Sequence, residues 1–377
     1  MYEYTVLPGD TIYSIARLYG LTTAALLGVN PEITDIDSIV VGQKLRIPDT
    51  RLTRPVIEVN GYAYPTVDAQ VLQDTLPYLT YLSIIGCHTQ PDGTLRYADD
   101  VPMITTAQLF RVASLMVVSN IAEEETYSGA LAHTLLTDEQ ARQNLLSNII
   151  SHLQDSGYYG VNIDFSDLYV EDYVPYASFL YALTSQLHPL GYIVAVAPRI
   201  NVLLEEQEQL SRINQYYSYN SMMDRLIIRT TIWTCAAQEA ERLSLIDELQ
   251  RAVDYASNLI SSNKILLTIP NCCYDWAIRD NQFEFYRFLS PAQADGLLIE
   301  TGAKVQVDPQ TQSSYFYYYN QDGMLHRVWC ENETNLRGPL ALVSTYNLAG
   351  ISFRTIDRFS MVSYQTLGSL YEIRKVI

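Results

Sequence analysis

Two patterns of hydrophobic residues divide the chain into a short first part and a long second part. Near Tyr4 and again near Leu45, apolar residues alternate with polar ones, which predicts two short strands. Apolar residues recur at helical spacing from Ile12, and a second apolar segment follows Thr22, which predicts two helices between the strands. The order strand, helix, helix, strand predicts a small βααβ domain over residues 1–49.

Polar and helix-breaking residues mark the ends of these two helices. Asp10 is expected to cap the first helix and Thr22 the second, because short polar side chains accept hydrogen bonds from the free amides of a first turn. Asn30-Pro31 is expected to end the second helix, because proline cannot continue it.

The second part of the chain alternates short apolar runs with helical segments. Continuous apolar runs are typical of parallel strands buried on both faces, and the spacing leaves room for crossover helices. The predicted fold class is therefore α/β, a (β/α)8 TIM barrel over residues 54–377, whose functional residues lie at the carboxyl ends of its strands. The predicted strands are Val56 to Tyr62, Tyr81 to Cys87, Leu115 to Asn120, Val161 to Phe165, Ile193 to Pro198, Leu226 to Thr230, Ile265 to Ile269 and Gly350 to Phe353.

An insertion is expected between the seventh and eighth of these strands. Residues Ser313 to Tyr319 alternate in polarity, and Asn320 to Gly323 form a turn sequence that leads into a second alternating run, Leu325 to Trp329. These patterns predict a small α+β insertion over about residues 303–330, which forms a wall beside the barrel mouth.

Charge and hydropathy exclude several classes of function. The chain has 24 basic and 42 acidic residues, a net charge of -18, which argues against nucleic acid and favours neutral or cationic ligands. It contains no apolar run long enough for a membrane span. The first residues lack the basic start and apolar core of a signal peptide, which predicts synthesis in the cytoplasm.

The five cysteines are odd in number and lack metal-ligand spacing, so neither a disulfide scaffold nor a metal or other cofactor is expected. One alternative is a thiol or metal site in which four cysteines meet His88 at the barrel mouth. Separate small buried residues are the favoured interpretation. The four cysteines are Cys87, Cys235, Cys272 and Cys273.

The first part of the chain closely resembles a LysM module. The similarity rests on Tyr4-Thr5-Val6, Gly9-Asp10-Thr11, Ile15-Ala16, Tyr19-Gly20, Asn30-Pro31, Gly42-Gln43 and Leu45-Arg46-Ile47-Pro48. It implies that N-acetylglucosamine polymers bind in a shallow groove between two loops, although each loop residue also suits a cap or turn. The implied binding residues are Gly9, Asp10, Thr11, Ile12, Asn30, Pro31 and Ile33.

The second part resembles glycoside hydrolase family 18. The run Gly157 to Ser166 matches the fourth-strand signature of that family, in which an Asp-x-Glu pair ends the strand. Asp164 aligns with the Asp and Ser166 with the Glu. The similarity looks like the LysM-bearing branch associated with spore cortex and germination, which implies a location at the spore coat or cortex surface. It extends through Lys264 to Pro270, Tyr274-Asp275-Trp276, Ser290-Pro291, Val328-Trp329 and Gly350-Ile351-Ser352.

The residues that the family uses for catalysis are replaced at several positions. Ser166 stands in place of the proton-donating Glu, Thr231 and Ile232 in place of a Tyr-Asp pair, and Arg354 in place of a Trp that forms the floor of the sugar site. In this family the acetamido oxygen of the substrate attacks the anomeric carbon, so the protein supplies an acid and an orienting carboxylate. The other candidate residues of the mouth are Tyr62, Asn162, Trp233, Trp329 and Glu331.

A serine hydroxyl cannot donate a proton near neutral pH, and general acid catalysis contributes about 100- to 10,000-fold. Asp167 or Glu171 is the alternative acid, although Asp167 would point to the opposite side if the strand continued. Asp164 itself has a structural role as an alternative. Arg199 and Arg354 either face an acidic ligand or, as favoured here, pair with local acids such as Asp357.

Three hypotheses follow for the function. The leading one is a non-catalytic protein that binds an N-acetylglucosamine polymer, either peptidoglycan or chitin-like. The second is an active retaining N-acetylglucosaminidase that acts on spore cortex peptidoglycan or chitin oligomers. The third is a structural spore-coat protein in which 30 tyrosines and the cysteines serve cross-linking.

Overall fold

The computed structural model divides the chain into two compact units. One comprises residues 1–56 with 370–372, and the other comprises residues 57–369 with 373–377. The structure describes residues 2–6, 10–19, 21–33, 35–36, 38–47, 54–122, 126–200, 218–230, 245–269, 273–279, 282–289, 291–307, 314–330, 336–359 and 361–377.

The first unit has the predicted βααβ order. Strands β1 (Tyr2–Thr5) and β2 (Lys44–Ile47) pair antiparallel, and helices α1 (Ile12–Leu18) and α2 (Thr23–Gly28) lie between them in sequence. The apolar residues at helical spacing on the two helices pack against apolar residues of the strands, so this unit has its own core. The buried core residues are Val6, Ile12, Ile15, Ala16, Leu26, Leu45 and Ile47.

The helix caps are confirmed in part. Thr22 caps α2, because its side chain accepts a hydrogen bond from the amide of Ala25 at 3.1 Å. The predicted cap Asp10 is wrong for α1: Thr11 and Ser14 form the reciprocal pair, with each side-chain hydroxyl accepting from the other's backbone amide. The carboxylate of Asp10 instead accepts a hydrogen bond from the Tyr4 hydroxyl at 2.7 Å.

The second unit is the predicted (β/α)8 barrel. Each strand pairs in parallel with the next, and the last strand pairs with the first, with Gly350 opposite Glu58, so the sheet is closed. All eight apolar runs of the sequence become strands. In order around the barrel these are β3 (Val56–Ala63), β4 (Tyr81–Ile84), β7 (Ala113–Ser119), β8 (Gly160–Asp164), β9 (Ile193–Val196), β11 (Arg225–Thr230), β12 (Ile265–Ile269) and β18 (Gly350–Phe353).

Helices cover the barrel, and short strands extend its loops. Strands β5 (Cys87–Thr89) and β6 (Leu95–Tyr97) form a hairpin after β4, β10 (Arg199–Ile200) pairs with β11, and β19 (Glu372–Ile373) pairs with β3. The described helices of this unit are α3 (Ala69–Thr75), α4 (Val101–Leu109), α5 (Gly129–Thr137), α6 (Glu139–Ser156), α7 (Tyr173–Leu187), α8 (Leu245–Ser257), α9 (Pro291–Thr301), α10 (Arg337–Tyr346) and α11 (Met361–Leu370).

Two glycines position the fourth barrel strand, which carries the family signature. Gly157 ends α6 in the left-handed conformation, at φ 80°, which a residue with a Cβ atom adopts only under strain. Gly160 begins β8, where a Cβ atom would lie 2.3 Å from the carbonyl oxygen of Ile193 on β9. These glycines let the chain turn sharply from the helix and bring β8 against its neighbour.

The inserted lobe lies between the seventh and eighth barrel strands, as predicted, but it is larger than residues 303–330. Its five-stranded antiparallel sheet begins at Cys273, because an earlier hairpin supplies two further strands. The strands are β13 (Cys273–Arg279), β14 (Gln282–Leu289), β15 (Gln306–Val307), β16 (Ser314–Tyr319) and β17 (Leu325–Cys330).

The expectation of no disulfide is wrong for one pair. Cys273 on β13 lies opposite Cys330 on β17, and the two form a disulfide within the lobe. Two residues that are distant in sequence become cross-strand partners, which the cysteine spacing does not indicate. Cys87 is buried as a free thiol, whereas Cys235 and Cys272 lie outside the described residues. Among the described residues, the proposed cysteine cluster is not formed.

Candidate functional site

The candidate site lies where the barrel strands β8, β11 and β18 end. Asp164 is the last residue of β8, Arg229 lies near the end of β11, and Arg354 directly follows β18. Because all eight strands run parallel, these ends meet at the carboxyl face of the barrel. The site therefore combines residues that are far apart in sequence.

Arg229 binds the Asp164 carboxylate and is the central cation of the site. Its Nη2 atom donates to Asp164 Oδ1, to Ser166 Oγ at 3.0 Å and to the carbonyl of Ala197 at 2.8 Å, while Nη1 donates to the Tyr127 hydroxyl at 2.7 Å. Asp164 is 1% exposed and Arg229 7% exposed, so this is a buried ion pair. Such pairs lose several kcal/mol when one partner is removed, about 3–5 kcal/mol in typical cases.

Arg354 and Tyr127 donate hydrogen bonds to the second oxygen of the same carboxylate. Asp164 Oδ2 accepts from Arg354 Nη1 and from the Tyr127 hydroxyl, both at 2.9 Å. Burial by itself lowers the pKa of Arg354, but Asp164, Tyr127 and Tyr62 more than offset this, so the pKa lies above the ordinary arginine value. Both oxygens of Asp164 are therefore engaged by neighbouring side chains.

Aromatic rings hold the arginines in place. The guanidinium of Arg354 lies over the Tyr62 ring at 5.0 Å, and those of Arg199 and Arg229 lie over the Tyr127 ring at 5.1 and 5.3 Å. Burial and then the charge of Asp164 raise the pKa of both tyrosines, so their hydroxyls stay neutral near pH 7. Neutral rings of this kind stabilise stacked cations.

Arg199 and Asp167 form a second, more exposed ion pair. Their closest nitrogen and oxygen atoms are 3.4 Å apart, and Asp167 has the left-handed backbone conformation, at φ 57°. Strand β8 ends at Asp164, so the condition under which Asp167 would point to the opposite side is not met. Pairing of Arg199 and Arg354 with local acids is confirmed, but the partners are Asp167 and Asp164 rather than Asp357.

Ser166 is fixed by its backbone as well as by Arg229. Its amide donates to Asn120 Oδ1 at 2.9 Å, and its carbonyl accepts from Asn120 Nδ2 at 2.8 Å. Both residues are buried. A hydroxyl held by a guanidinium therefore occupies the position that aligns with the family's acid, and Glu171, the other alternative acid, is exposed beyond the strand.

Tyr62 and Asn162 belong to an uncharged polar chain in the barrel interior. Asn162 donates to the Tyr62 hydroxyl at 2.8 Å and to Ser83 at 3.1 Å, and Ser83 donates to Asn60 at 2.8 Å. Asn60 in turn donates to Ser352 at 2.9 Å. These hydrogen-bonded side chains form the floor beneath the arginines and add no charge to it.

A cavity of about 580 Å³ lies against the β5–β6 hairpin, and Asp164, Arg229 and Arg354 do not line it. Its wall includes His88 and Arg96, which are cross-strand neighbours on the β5–β6 hairpin, together with Ile121 and Leu131. Ser128, which follows Tyr127 in the chain, also lines it. The volume lies in the usual range for small-ligand pockets.

Several predicted residues do not join this cluster. Trp329 lies in the inserted lobe, where it stacks on Tyr315 with the ring centroids 5.4 Å apart. The remaining candidates Thr231, Ile232, Trp233 and Glu331 lie outside the described residues, as does Gly9 of the LysM module. Their contributions stay predictions.

In the LysM unit, Asn30 has a structural role. It is fully buried, donates to the carbonyls of Leu26 and Arg46 at 2.8 and 2.7 Å, and accepts from the Arg46 amide at 2.7 Å. These bonds join the end of α2 to β2. Ile12 is buried in the core, whereas Thr11 and Pro31 are exposed and Ile33 is half-buried, so these three residues line the surface of the predicted loops.

Sequence reasoning missed Arg229 and Tyr127 as site residues. Arg229 carried a signal, because a lone arginine ends the apolar run Leu226 to Thr230 and a buried arginine needs an acidic partner. Tyr127 follows the acidic run Glu123 to Glu125 in sequence, and no sequence pattern distinguishes it from the other tyrosines.

Known family models match both parts of the chain. A LysM domain model matches residues 4–48, and the model for glycosyl hydrolases family 18 matches residues 104–358, more than half of the chain. The chain belongs to glycosyl hydrolases family 18. Membership of this family, together with the LysM domain, indicates a protein that binds or hydrolyses glycans containing N-acetylglucosamine.

Two of the similar proteins span nearly the whole chain, and a third covers most of it. The cortical fragment-lytic enzyme of Bacillus subtilis is 26% identical, over 94% of this chain and 94% of that protein. The Bacillus cereus spore cortex-lytic enzyme SleL has a TM-score of 0.77 at 23% identity, covering 100% of this chain and 88% of that one. A chitinase from Chromobacterium violaceum has a TM-score of 0.71 at 21% identity, covering 83% and 98%.

The described residues contain neither a membrane-spanning helix nor a metal-binding cluster. None of their helices has the length and apolar character needed to cross a bilayer. Nor do three or more of their His, Cys, Asp or Glu side chains come together as a set of metal ligands.

Proposed function

We propose that this family 18 protein binds N-acetylglucosamine-containing glycan, peptidoglycan or chitin-like, without cleaving it. The observation that carries the proposal is the contact of Arg229 with both Asp164 and Ser166. Cleavage in this family needs a proton donor and a carboxylate free to orient the acetamido group. Ser166 supplies no such donor, and both oxygens of Asp164 already accept hydrogen bonds from the protein.

The mouth keeps features that suit binding. The cavity against the β5–β6 hairpin has room for a sugar, and His88 and Arg96 in its wall can donate hydrogen bonds to sugar hydroxyls. The LysM module would supply a second contact through its exposed loop residues Thr11 and Pro31. Two weak sites on one chain increase the overall affinity for a repeating polymer.

The relatives named for spore cortex suggest where the protein acts. We place its glycan in the spore envelope, at the coat or cortex surface. Fractionation of sporulating cells, with detection of the chain in the coat, cortex and soluble fractions, tests this part. Recovery only from vegetative cells contradicts it.

The test of the main proposal is incubation with cortex peptidoglycan and with chitin oligomers, monitored for released reducing ends. The Bacillus subtilis cortical fragment-lytic enzyme serves as the positive control. We expect release at least about 100-fold slower than by this control, because a missing general acid alone removes about 100- to 10,000-fold of the rate. Robust turnover by the wild-type chain would support the hydrolase hypothesis instead.

Binding is tested in parallel by sedimentation with insoluble peptidoglycan and chitin. We expect the chain to sediment, and Pro31→Ser to reduce the bound fraction because Pro31 lies in the predicted groove loop. Ile36→Ser is the matched control, since Ile36 is also exposed in this unit. If the wild-type chain stays in the supernatant with both polymers, the structural-protein hypothesis is favoured.

A further inference from the structure

The mouth of the barrel is locally cationic in a strongly acidic chain. Arg199 and Arg229 lie over the Tyr127 ring, and Arg229 and Arg354 donate hydrogen bonds to its hydroxyl at 2.7 and 3.1 Å. The whole chain carries a net charge of -18. Three guanidinium groups around one tyrosine are therefore opposite in sign to the net charge of the chain.

The acids paired with these arginines among the described residues do not balance them. Asp164 is shared by Arg229 and Arg354, and Asp167 pairs with Arg199. Three cations against two carboxylates leave one positive charge in excess. The Arg229 Nε atom is also buried without a hydrogen-bond partner in the described part of the chain. Partly buried charge of this kind is costly unless an anion compensates it.

Two of the three arginines can be reached from solvent. The side chain of Arg354 is 25% exposed and that of Arg199 is 32% exposed, whereas Arg229 is enclosed. The polar chain below them, from Asn60 to Tyr62 and Asn162, is uncharged and cannot supply the missing negative charge. Among the described residues, the remaining donors of Arg354 and Arg199 therefore face the open side, where a ligand can reach them.

We propose that Arg354 and Arg199 bind an anionic group, a carboxylate or a phosphate, carried by the saccharide in the barrel mouth. The guanidinium group presents several N–H donors in one plane, which matches the two oxygens of a carboxylate. This inference rests on the proposed function, since it names the ligand class of the same site. It makes the mouth selective for acidic sugars over the neutral N-acetylglucosamine that the family fold alone implies.

The experiment titrates the full chain with two monosaccharides that differ by one lactyl group. N-acetylmuramic acid carries a carboxylate and N-acetylglucosamine does not. Affinities are measured by ligand-observed NMR at pH 7 for the wild type, Arg354→Met, Arg199→Met and Arg279→Met. The last variant is the matched control, because Arg279 is an exposed, weakly paired arginine in the lobe.

We expect N-acetylmuramic acid to bind about tenfold or more tightly than N-acetylglucosamine, as charge-assisted hydrogen bonds typically give. Arg354→Met and Arg199→Met should each remove most of this preference and Arg279→Met none. In the described part of the chain the ion-pair partner of Arg199 is the exposed Asp167, so Arg199→Met tests the site even if Arg354→Met fails to fold. Added salt should weaken binding of the acidic sugar more than that of the neutral sugar.

Equal affinity for the two sugars, or an equal effect of Arg279→Met, overturns the proposal. Inorganic phosphate is titrated as a third ligand, and displacement of the acidic sugar by phosphate identifies the site as one that also accepts phosphate groups. Neither monosaccharide contains a glycosidic bond to cleave. The result is therefore independent of the hydrolysis assay, and failure of one proposal can be told from failure of the other.

Discussion

Removing the charge of Arg229 should destabilise the barrel strongly, and removing Asp164 as well should restore part of the loss. Asp164 is 1% exposed. In Arg229→Met its carboxylate keeps hydrogen bonds from Arg354 and Tyr127 among the described residues. We expect a loss of about 3 kcal/mol in the free energy of unfolding, the lower end for a broken buried ion pair, because these two partners remain. Asp164→Asn should cost about 3–5 kcal/mol, since it leaves two arginines without their shared carboxylate.

The assay is equilibrium unfolding of the full chain in urea, followed by tryptophan fluorescence and far-ultraviolet circular dichroism. The double variant should be less destabilised than the sum of the single variants by about 2–3 kcal/mol, the coupling typical of residues in direct contact. Arg279→Met gives the baseline for an exposed arginine and should change stability by less than about 0.5 kcal/mol. Additive effects of the two single variants would refute the ion pair as the organising contact of the mouth.

Three further predictions concern the acid position, the LysM unit and alkaline pH. Ser166→Glu should not restore hydrolysis, because the Arg229 guanidinium lowers the pKa of a carboxyl group within its reach, which therefore stays ionised at pH 7; reducing-end release checks this. Asn30→Ala should cost about 1–3 kcal/mol locally, because it leaves the Arg46 amide without its partner, and hydrogen exchange of residues 44–47 should accelerate. The free energy of unfolding should fall as pH rises above about 10, because buried Tyr62 keeps its proton in the folded chain while the unfolded chain releases it.

Each of these predictions has a matched comparison. Turnover by Ser166→Glu alone contradicts the argument from Arg229. Glu32→Ala removes only an exposed 3.8 Å ion pair with Arg46 and should leave hydrogen exchange nearly unchanged. Tyr62→Phe removes the titrating group, so its stability should decline less steeply above pH 10 than that of the wild type, and parallel slopes would exclude Tyr62 as a source.

The fold could be predicted from sequence because its main signal is local. Each barrel strand is a short apolar run, and each run became a strand of the closed sheet. The LysM helices likewise followed from spacing and caps, apart from the exchange of Asp10 for Thr11 at one helix start. The lobe was underestimated because the prediction started from the later alternating run near Ser313, whereas the first hairpin of the lobe spans Cys273 to Leu289.

The site was predicted only where one residue could be compared with a family pattern. Ser166 and Arg354 were found in this way, and Asp164 was correctly placed at a strand end. The bonds from Arg229 to Asp164 and the disulfide between Cys273 and Cys330 join residues that are 65 and 57 positions apart. Such partners depend on how the barrel and lobe close, which no local pattern contains.

The sharing of one carboxylate by two arginines also limits how this mouth can change during evolution. A change of Arg354 to the Trp of the family, or any loss of Arg229, leaves an unpaired charge in a poorly hydrated space and lowers stability before it alters chemistry. Several positions would therefore have to change nearly together to avoid this loss of stability. The present arrangement is thus a local optimum, and drift should preserve the arginines and Asp164 as a set.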